Sequence, residues 1–119
     1  MASEFKDARG YIQDLLIHPL DGVTRIFTRA GAVRGNHTHK KTTQWTYVVS
    51  GWIQFAWTDA DGVFQTAMRG EGALVEEPPG IPHAWKAVED TVVLVFTAGP
   101  RTGEGYESDT VRLEVPLLV

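Results

Sequence analysis

The feature that most constrains this sequence is its rhythm: short runs alternating apolar and polar residues, broken every few positions by Gly, Pro or Asp, with almost no helical period. Successive strand side chains point to opposite faces, so such runs read as half-buried β-strands. They fall at 11–17, 24–29, 35–39, 45–50, 52–57, 64–68, 73–76, 83–87, 92–97 and 111–115. So many short strands within 119 residues can bury their apolar faces only against one another, which implies an all-β sandwich or barrel. No linker is long enough to divide the chain, so a single domain over 1–119 is expected.

Turn chemistry supports this reading. Asp61-Gly62 between two strand-like runs predicts a hairpin joining 52–57 to 63–68. Pro78-Pro79-Gly80-Ile81-Pro82 has too few amide donors for a central strand and must be a rigid turn. Residues 99–105 read as a loop before the last strand.

Composition removes several functions. Without cysteine there are no disulfides, no thiolate catalysis and no Cys-ligated metal, so any ion must sit on nitrogen and oxygen. A formal net charge of -4 argues against a nucleic-acid partner or an anionic membrane surface. No run approaches the ~18 apolar residues of a membrane span and the first residues lack an apolar signal segment, so a cytoplasmic protein is the default expectation.

The chemistry concentrates on histidine. Of the 4 in the chain, His18 sits beside Pro19 without a partner motif and reads as a solvated loop residue, whereas the rest flank strong turn signals. His37 and His39 are separated by a single residue, so on a strand both rings project from the same face, a spacing suited to chelation. An isolated pair of this kind is also compatible with two exposed strand histidines. Gln44 begins the next run, where its amide oxygen can add a ligand, and His83 follows the Pro-rich turn, from which a closed sheet can bring it across. Convergence would give one divalent ion three nitrogens and an oxygen, with open positions for water or substrate.

These residues resemble the cupin family, small jelly-roll β-barrels marked by two spaced motifs. Gly31, His37, His39, Gln44 and Gly51, within 31–51, are similar to the first motif; Gly72, Pro78, Gly80 and His83, within 72–87, are similar to the other. Two positions depart from the pattern: Gln44 stands where Glu is usual, and Ala87 where Asn is common. Exchanging Glu for Gln removes a negative charge, leaving a bound ion more electrophilic. The stretch Val33 to Lys41 is similar to cupins that isomerise or epimerise nucleotide-linked keto-sugars, and the presence of His83 leans toward the metal-bearing branch.

The resemblance implies a metal-dependent enzyme with Zn, Fe, Mn or Ni on His37, His39, Gln44 and His83. It would polarise the carbonyl of a small sugar-like or keto substrate for isomerisation or epimerisation, with Tyr47, Glu76 or Arg34 moving the proton or holding the substrate. An Fe, Mn or Ni dioxygenase and a non-catalytic small-molecule-binding cupin remain open alternatives. Glu76 and Glu77 precede the turn, where either could act as acid or base, but read more readily as a pair of exposed charges; Arg34 and Lys86 could receive a substrate carboxylate or phosphate, but read more readily as solvated basic residues. The family further implies a homodimer, with 11–17 or 111–115 as candidate shared edges.

Overall fold

The structure is a computed structural model that describes residues 4–119. Its strands are β1 (Glu4–Asp7), β2 (Gly10–Gln13), β3 (Gly22–Thr28), β4 (Val33–His39), β5 (Thr43–Ser50), β6 (Trp52–Thr58), β7 (Phe64–Gly70), β8 (Leu74–Glu77), β9 (His83–Ala87), β10 (Thr91–Ala98) and β11 (Thr110–Arg112). A short helix, α1 (Gly103–Asp109), precedes β11. A four-stranded sheet in the order β3-β10-β5-β8 faces a five-stranded sheet in the order β11-β4-β9-β6-β7, and β1 and β2 pair only with each other. This is an all-β jelly roll. The two sheets are not joined edge to edge by hydrogen bonds, so the expected closed barrel is an open one.

The predicted hairpin forms, with β6 antiparallel to β7 and Thr58 opposite Phe64. Asp59 makes its turn by accepting the amides of Asp61 and Val63 on Oδ1, at 2.9 Å each. Four expectations change: the strand expected at 111–115 spans only Thr110–Arg112, and β1 was not expected. The strand at 11–17 ends at Gln13, and part of the loop at 99–105 belongs to α1, where Thr102 and the glycines at 103 and 105 conceal a short helical segment. Wrapping the chain there carries Asp109 and Thr110 back onto β4.

Inward-facing residues change character along the strands. At one end Val48, Ile53, Phe55, Val75, Ala87 and Val93 form the dry core, with Trp85 and Val95 at its boundary. Toward the other end the same strands turn in Thr46 and Gln44 on β5, Glu77 on β8, His83 on β9 and Thr97 on β10, all buried. The apolar half stabilises the fold by removing area from water, at roughly 25 cal/mol per Å². The polar half is held in place by that same packing.

One irregularity positions the polar end. Arg34 pairs with Trp85, Gly35 with Ala84 and His37 with His83, leaving Asn36 as an extra residue in β4. Gly35 and Asn36 both take positive φ, 90° and 57°. Strict alternation would put Arg34 on the face opposite His37; the bulge returns both to the inner face. Asn36 then turns outward and binds the C-terminal segment, donating from Nδ2 to the Leu118 carbonyl at 2.9 Å and accepting the Leu117 amide at 2.8 Å.

A Cβ on Gly35 would lie 3.0 Å from the His83 carbonyl oxygen and 3.1 Å from the Ala84 Cα, in a backbone region that L side chains avoid. Gly35→Ala is expected to cost about 1–3 kcal/mol in chemical denaturation. Unchanged stability would mean that β4 tolerates a regular register there.

Candidate metal centre

Strand pairing brings the predicted histidines together. His37 and His83 are register partners across β4 and β9, and His39 lies one inward position farther along β4. Ring centroids are 4.6 Å apart for His37 and His39, 4.7 Å for His37 and His83, and 5.7 Å for His39 and His83. One nitrogen from each ring falls within 4.8 Å of the others. His39 and His83 are buried, while His37 is partly open to a cavity of about 220 Å³. The Pro-rich turn is tied to this cluster, because the Gly80 amide donates to the His39 carbonyl at 2.8 Å.

Hydrogen bonding fixes two tautomers. His83 Nδ1 lies 3.2 Å from the Ile81 carbonyl, which only accepts, so in the neutral ring Nδ1 carries the proton and Nε2, which makes no hydrogen bond, a lone pair. Thr110 spends its hydroxyl proton on the Tyr106 carbonyl at 2.7 Å, so at 3.4 Å it accepts from His39 Nδ1. His39 Nε2 is therefore unprotonated as well. Both Nε2 atoms are buried without a hydrogen-bond partner, the arrangement a metal ion satisfies.

The electrostatics favour neutral rings at His37 and His39. Burial, then the neighbouring His83 and His39, then Arg112, push His37 from its ordinary value down to about 3. His39 is lowered by burial and by His83, against the opposing influence of Asp109 and the Gln44 amide. Burial alone would raise the Asp109 carboxyl, but hydrogen bonds from Thr42 and Lys41 and the adjacent His39 outweigh it and hold it below the usual carboxylate range. Asp109 accepts the Thr42 hydroxyl at 2.5 Å and the Lys41 amide at 2.8 Å, and lies 3.6 Å from His39 Nδ1, behind the ring.

The other predicted site residues divide. Gln44 is buried on the facing sheet and lines the cavity with His37 and His83. Arg34 reaches its mouth from the inner face of β4, donating from Nε to Thr28 Oγ1 at 3.1 Å. Tyr47 and Glu76 do not join the site. Alternation from Gln44 and Thr46 puts Tyr47 on the outer face of β5, and alternation from Val75 and Glu77 does the same for Glu76, which accepts the Trp45 indole N–H at 3.0 Å. Lys86 also points away and donates to the Val119 carbonyl at 3.2 Å. His18 rests against the ring of Trp45 outside the cluster.

Sequence reasoning set Glu77 down as an exposed charge and missed Asp109, Tyr106 and Arg101. Glu77 is buried, accepts the Thr46 hydroxyl on Oε1 and places Oε2 3.1 Å from His83 Nε2. That 3.1 Å approach is a contact between two acceptors and leaves the Nε2 without a donor. Asp109 stands behind His39, and Tyr106 and Arg101 line the cavity, the Arg101 guanidinium 5.2 Å above the Tyr106 ring. For Glu77 a signal existed: counted from Val75, it is the inward member of the Glu pair. A larger hollow, about 430 Å³, is lined by Phe55, Trp57, Glu77 and His83, but only one of the three rings reaches it.

The profile of the family described as Cupin matches residues 19–111. The chain belongs to the cupin family. Among solved structures, this cupin is similar to dTDP-4-dehydrorhamnose 3,5-epimerase from Sulfolobus tokodaii, at 20% identity and TM-score 0.72, covering 98% of this chain and 80% of that one. It is also similar to a variant of the 3,4-ketoisomerase QdtA from Thermoanaerobacterium thermosaccharolyticum in complex with TDP-4-keto-6-deoxyglucose, at 17% identity and TM-score 0.74, covering 93% and 83%. A third is the capsular polysaccharide assembling protein CapF from Staphylococcus aureus, at 21% identity and TM-score 0.69, where 97% of this chain spans 33% of the other. At these identities the likeness establishes the fold. No curated protein matches the chain. Among the described residues, no helix is long and apolar enough to cross a membrane.

A lowered histidine pKa means that the native state resists a proton the unfolded chain accepts. Stability of metal-free protein should therefore fall as pH drops below 6.5, and continue falling toward the native value of His37 at about 3. Urea titrations in chelator, one near neutral pH and one between the two values, test this. Equal midpoints would show that the rings are not held neutral by burial.

Proposed function

We propose that this cupin is a divalent-metal enzyme that isomerises or epimerises a small keto-sugar-like substrate by moving a proton next to a carbonyl. The observation that carries the metal is the convergence of His37, His39 and His83 with two buried, unprotonated Nε2 atoms and no donor to satisfy them. The reaction type is supported by the activities named for two structural relatives, an epimerase and a ketoisomerase of nucleotide sugars. His37, His39 and His83 would hold the ion, which when bound supplies a positive charge that polarises a substrate carbonyl and acidifies the adjacent C–H.

The chain's own residues supply the rest. Ile26, Trp85 and Val95 line the cavity with apolar surface and limit water around the reacting atoms. At about 220 Å³ the cavity falls below the ~300–1,000 Å³ usual for drug-sized ligands, so it suits one sugar ring with the remainder outside. Arg34 and Arg101 at its rim are placed to bind an anionic group on that outer part. Tyr106, whose ring lies 6.0 Å from that of His39, takes the role expected of Tyr47: its phenol is the group placed to exchange a proton with a substrate oxygen. Asp109 and Thr110 fix the His39 ring from behind.

We also read the active form as a homodimer. The β1-β2 hairpin joins neither sheet and exposes Phe5, Tyr11 and Ile12, while the outer face of the four-stranded sheet exposes Val23 and Phe27.

Untreated protein should contain a first-row divalent metal by elemental analysis, and His83→Ala should lose it. Incubation of metal-loaded protein with a 4-keto-6-deoxy nucleotide sugar in D2O, without oxygen, should introduce deuterium beside the carbonyl. Tyr106→Phe should slow that exchange by about 10²–10⁴-fold while keeping the metal. Absence of exchange across a panel of keto-sugars, with metal bound, would sink the reaction. Sedimentation at micromolar concentration should give a dimer, and a monomer would refute the paired assembly.

A further inference from the structure

The geometry points to Glu77, rather than Gln44, as the group that completes the metal centre; the inference rests on the metal reading above and names the site's charged ligand. Three neutral imidazoles and an amide would leave a divalent ion with its full +2 charge in a buried, low-dielectric setting, an arrangement with a large desolvation cost. A carboxylate ligand halves that charge. Among the described residues, the buried carboxylates are Glu77 and Asp109. Asp109 is committed to Thr42 and Lys41 and lies on the Nδ1 side of His39, behind the ligand-bearing edge of the ring.

Glu77 is committed differently. Oε1 accepts the Thr46 hydroxyl, which orients the carboxylate, and Oε2 is left facing His83 Nε2 at 3.1 Å. Because His83 keeps its proton on Nδ1 for the Ile81 carbonyl, both facing atoms bear lone pairs. A cation between or beside them would relieve the repulsion of two acceptors held that close. Bonds of about 2.1 Å to one ion put adjacent ligand atoms about 3.0 to 3.4 Å apart, and the observed 3.1 Å falls in that interval.

Gln44 and Glu77 are register partners on adjacent antiparallel strands, β5 and β8, so their side chains descend side by side toward the rings. The amide of Gln44 acts on His39, while the carboxylate of Glu77 acts on His83. The negative charge missing from position 44 of the first motif has thus moved one strand over, to the residue before the Pro-rich turn.

Zn(II) and Co(II) affinities measured by competition with a chromophoric chelator, together with the visible spectrum of the Co(II) form, test the assignment. Loss of a residue that only supports a ligand commonly weakens binding about 10–100-fold. Glu77→Gln should therefore lose at least about 100-fold and change the Co(II) spectrum, whereas Gln44→Ala should lose less than about 10-fold and keep it. The exchange Gln44→Glu with Glu77→Gln should recover most of the lost affinity, because the carboxylate returns on the neighbouring strand; a merely structural Glu77 would not be rescued in this way. Circular dichroism checks that each variant folds. If Glu77→Gln binds as tightly as the parent, or if Gln44→Ala is the variant that loses the ion and alters the spectrum, the assignment is overturned. Should Glu77→Gln not fold, the Gln44→Ala spectrum still decides, by staying or changing. Failure of the parent protein to bind either ion would instead remove the metal reading itself.

Discussion

The pairing of His37 with His83 across β4 and β9 is the contact on which the rest of the site depends. It presses two imidazoles together in a place poor in water, where burial and the neighbouring rings keep His37 from taking a charge easily. Each buried ring is then fixed from behind, His83 by the Ile81 carbonyl and His39 by Thr110, so that its free nitrogen points inward. The cost of burying these groups without donors is borne by the apolar half of the same interior, in which Val48, Ile53 and Val93 exclude solvent.

Continuous strands link the two halves. On β5, β8, β9 and β10 an apolar inward residue is followed, two or four positions along, by a polar one: Val48 and Thr46, Val75 and Glu77, Ala87 and His83, Val95 and Thr97. Packing at the dry end therefore holds the geometry of the wet end, with little role for loops. The bulge at Gly35 and Asn36 adds an adjustment that a regular strand cannot make, bringing Arg34 to the cavity on the same side as the histidines. Its outward residue is gripped by the C-terminal segment, which ties the last residues of the chain to the strand that carries His37 and His39.

Much of this is legible in sequence because the relevant signals are local. Alternation locates β6, β7 and β9 closely, the Asp-Gly turn marks the hairpin, and the spacing of His37 and His39 puts both rings on one face. The family motifs add His83. The errors share a cause: Tyr47 and Glu76 are suitable proton carriers by residue type, but facing is decided by parity, and each sits one residue from an inward position. Glu77 reads in sequence as one of two exposed charges, although parity counted from Val75 turns it inward. The helix α1 is too short and too rich in glycine to register as a period.

What the sequence determined by itself was most of the strands, the two short motifs and the chemistry available to them, since these follow from residue type and from spacing within a few positions. Only the tertiary structure decided which side chains meet. The distance of 3.1 Å between Glu77 and His83, the protonation of each ring nitrogen and the approach of Asp109 and Tyr106 from the far end of the chain depend on the register of one strand against another and on the apposition of two sheets. Register is a cooperative property of the whole interior, because slipping a strand by one residue exchanges its two faces and exposes its core.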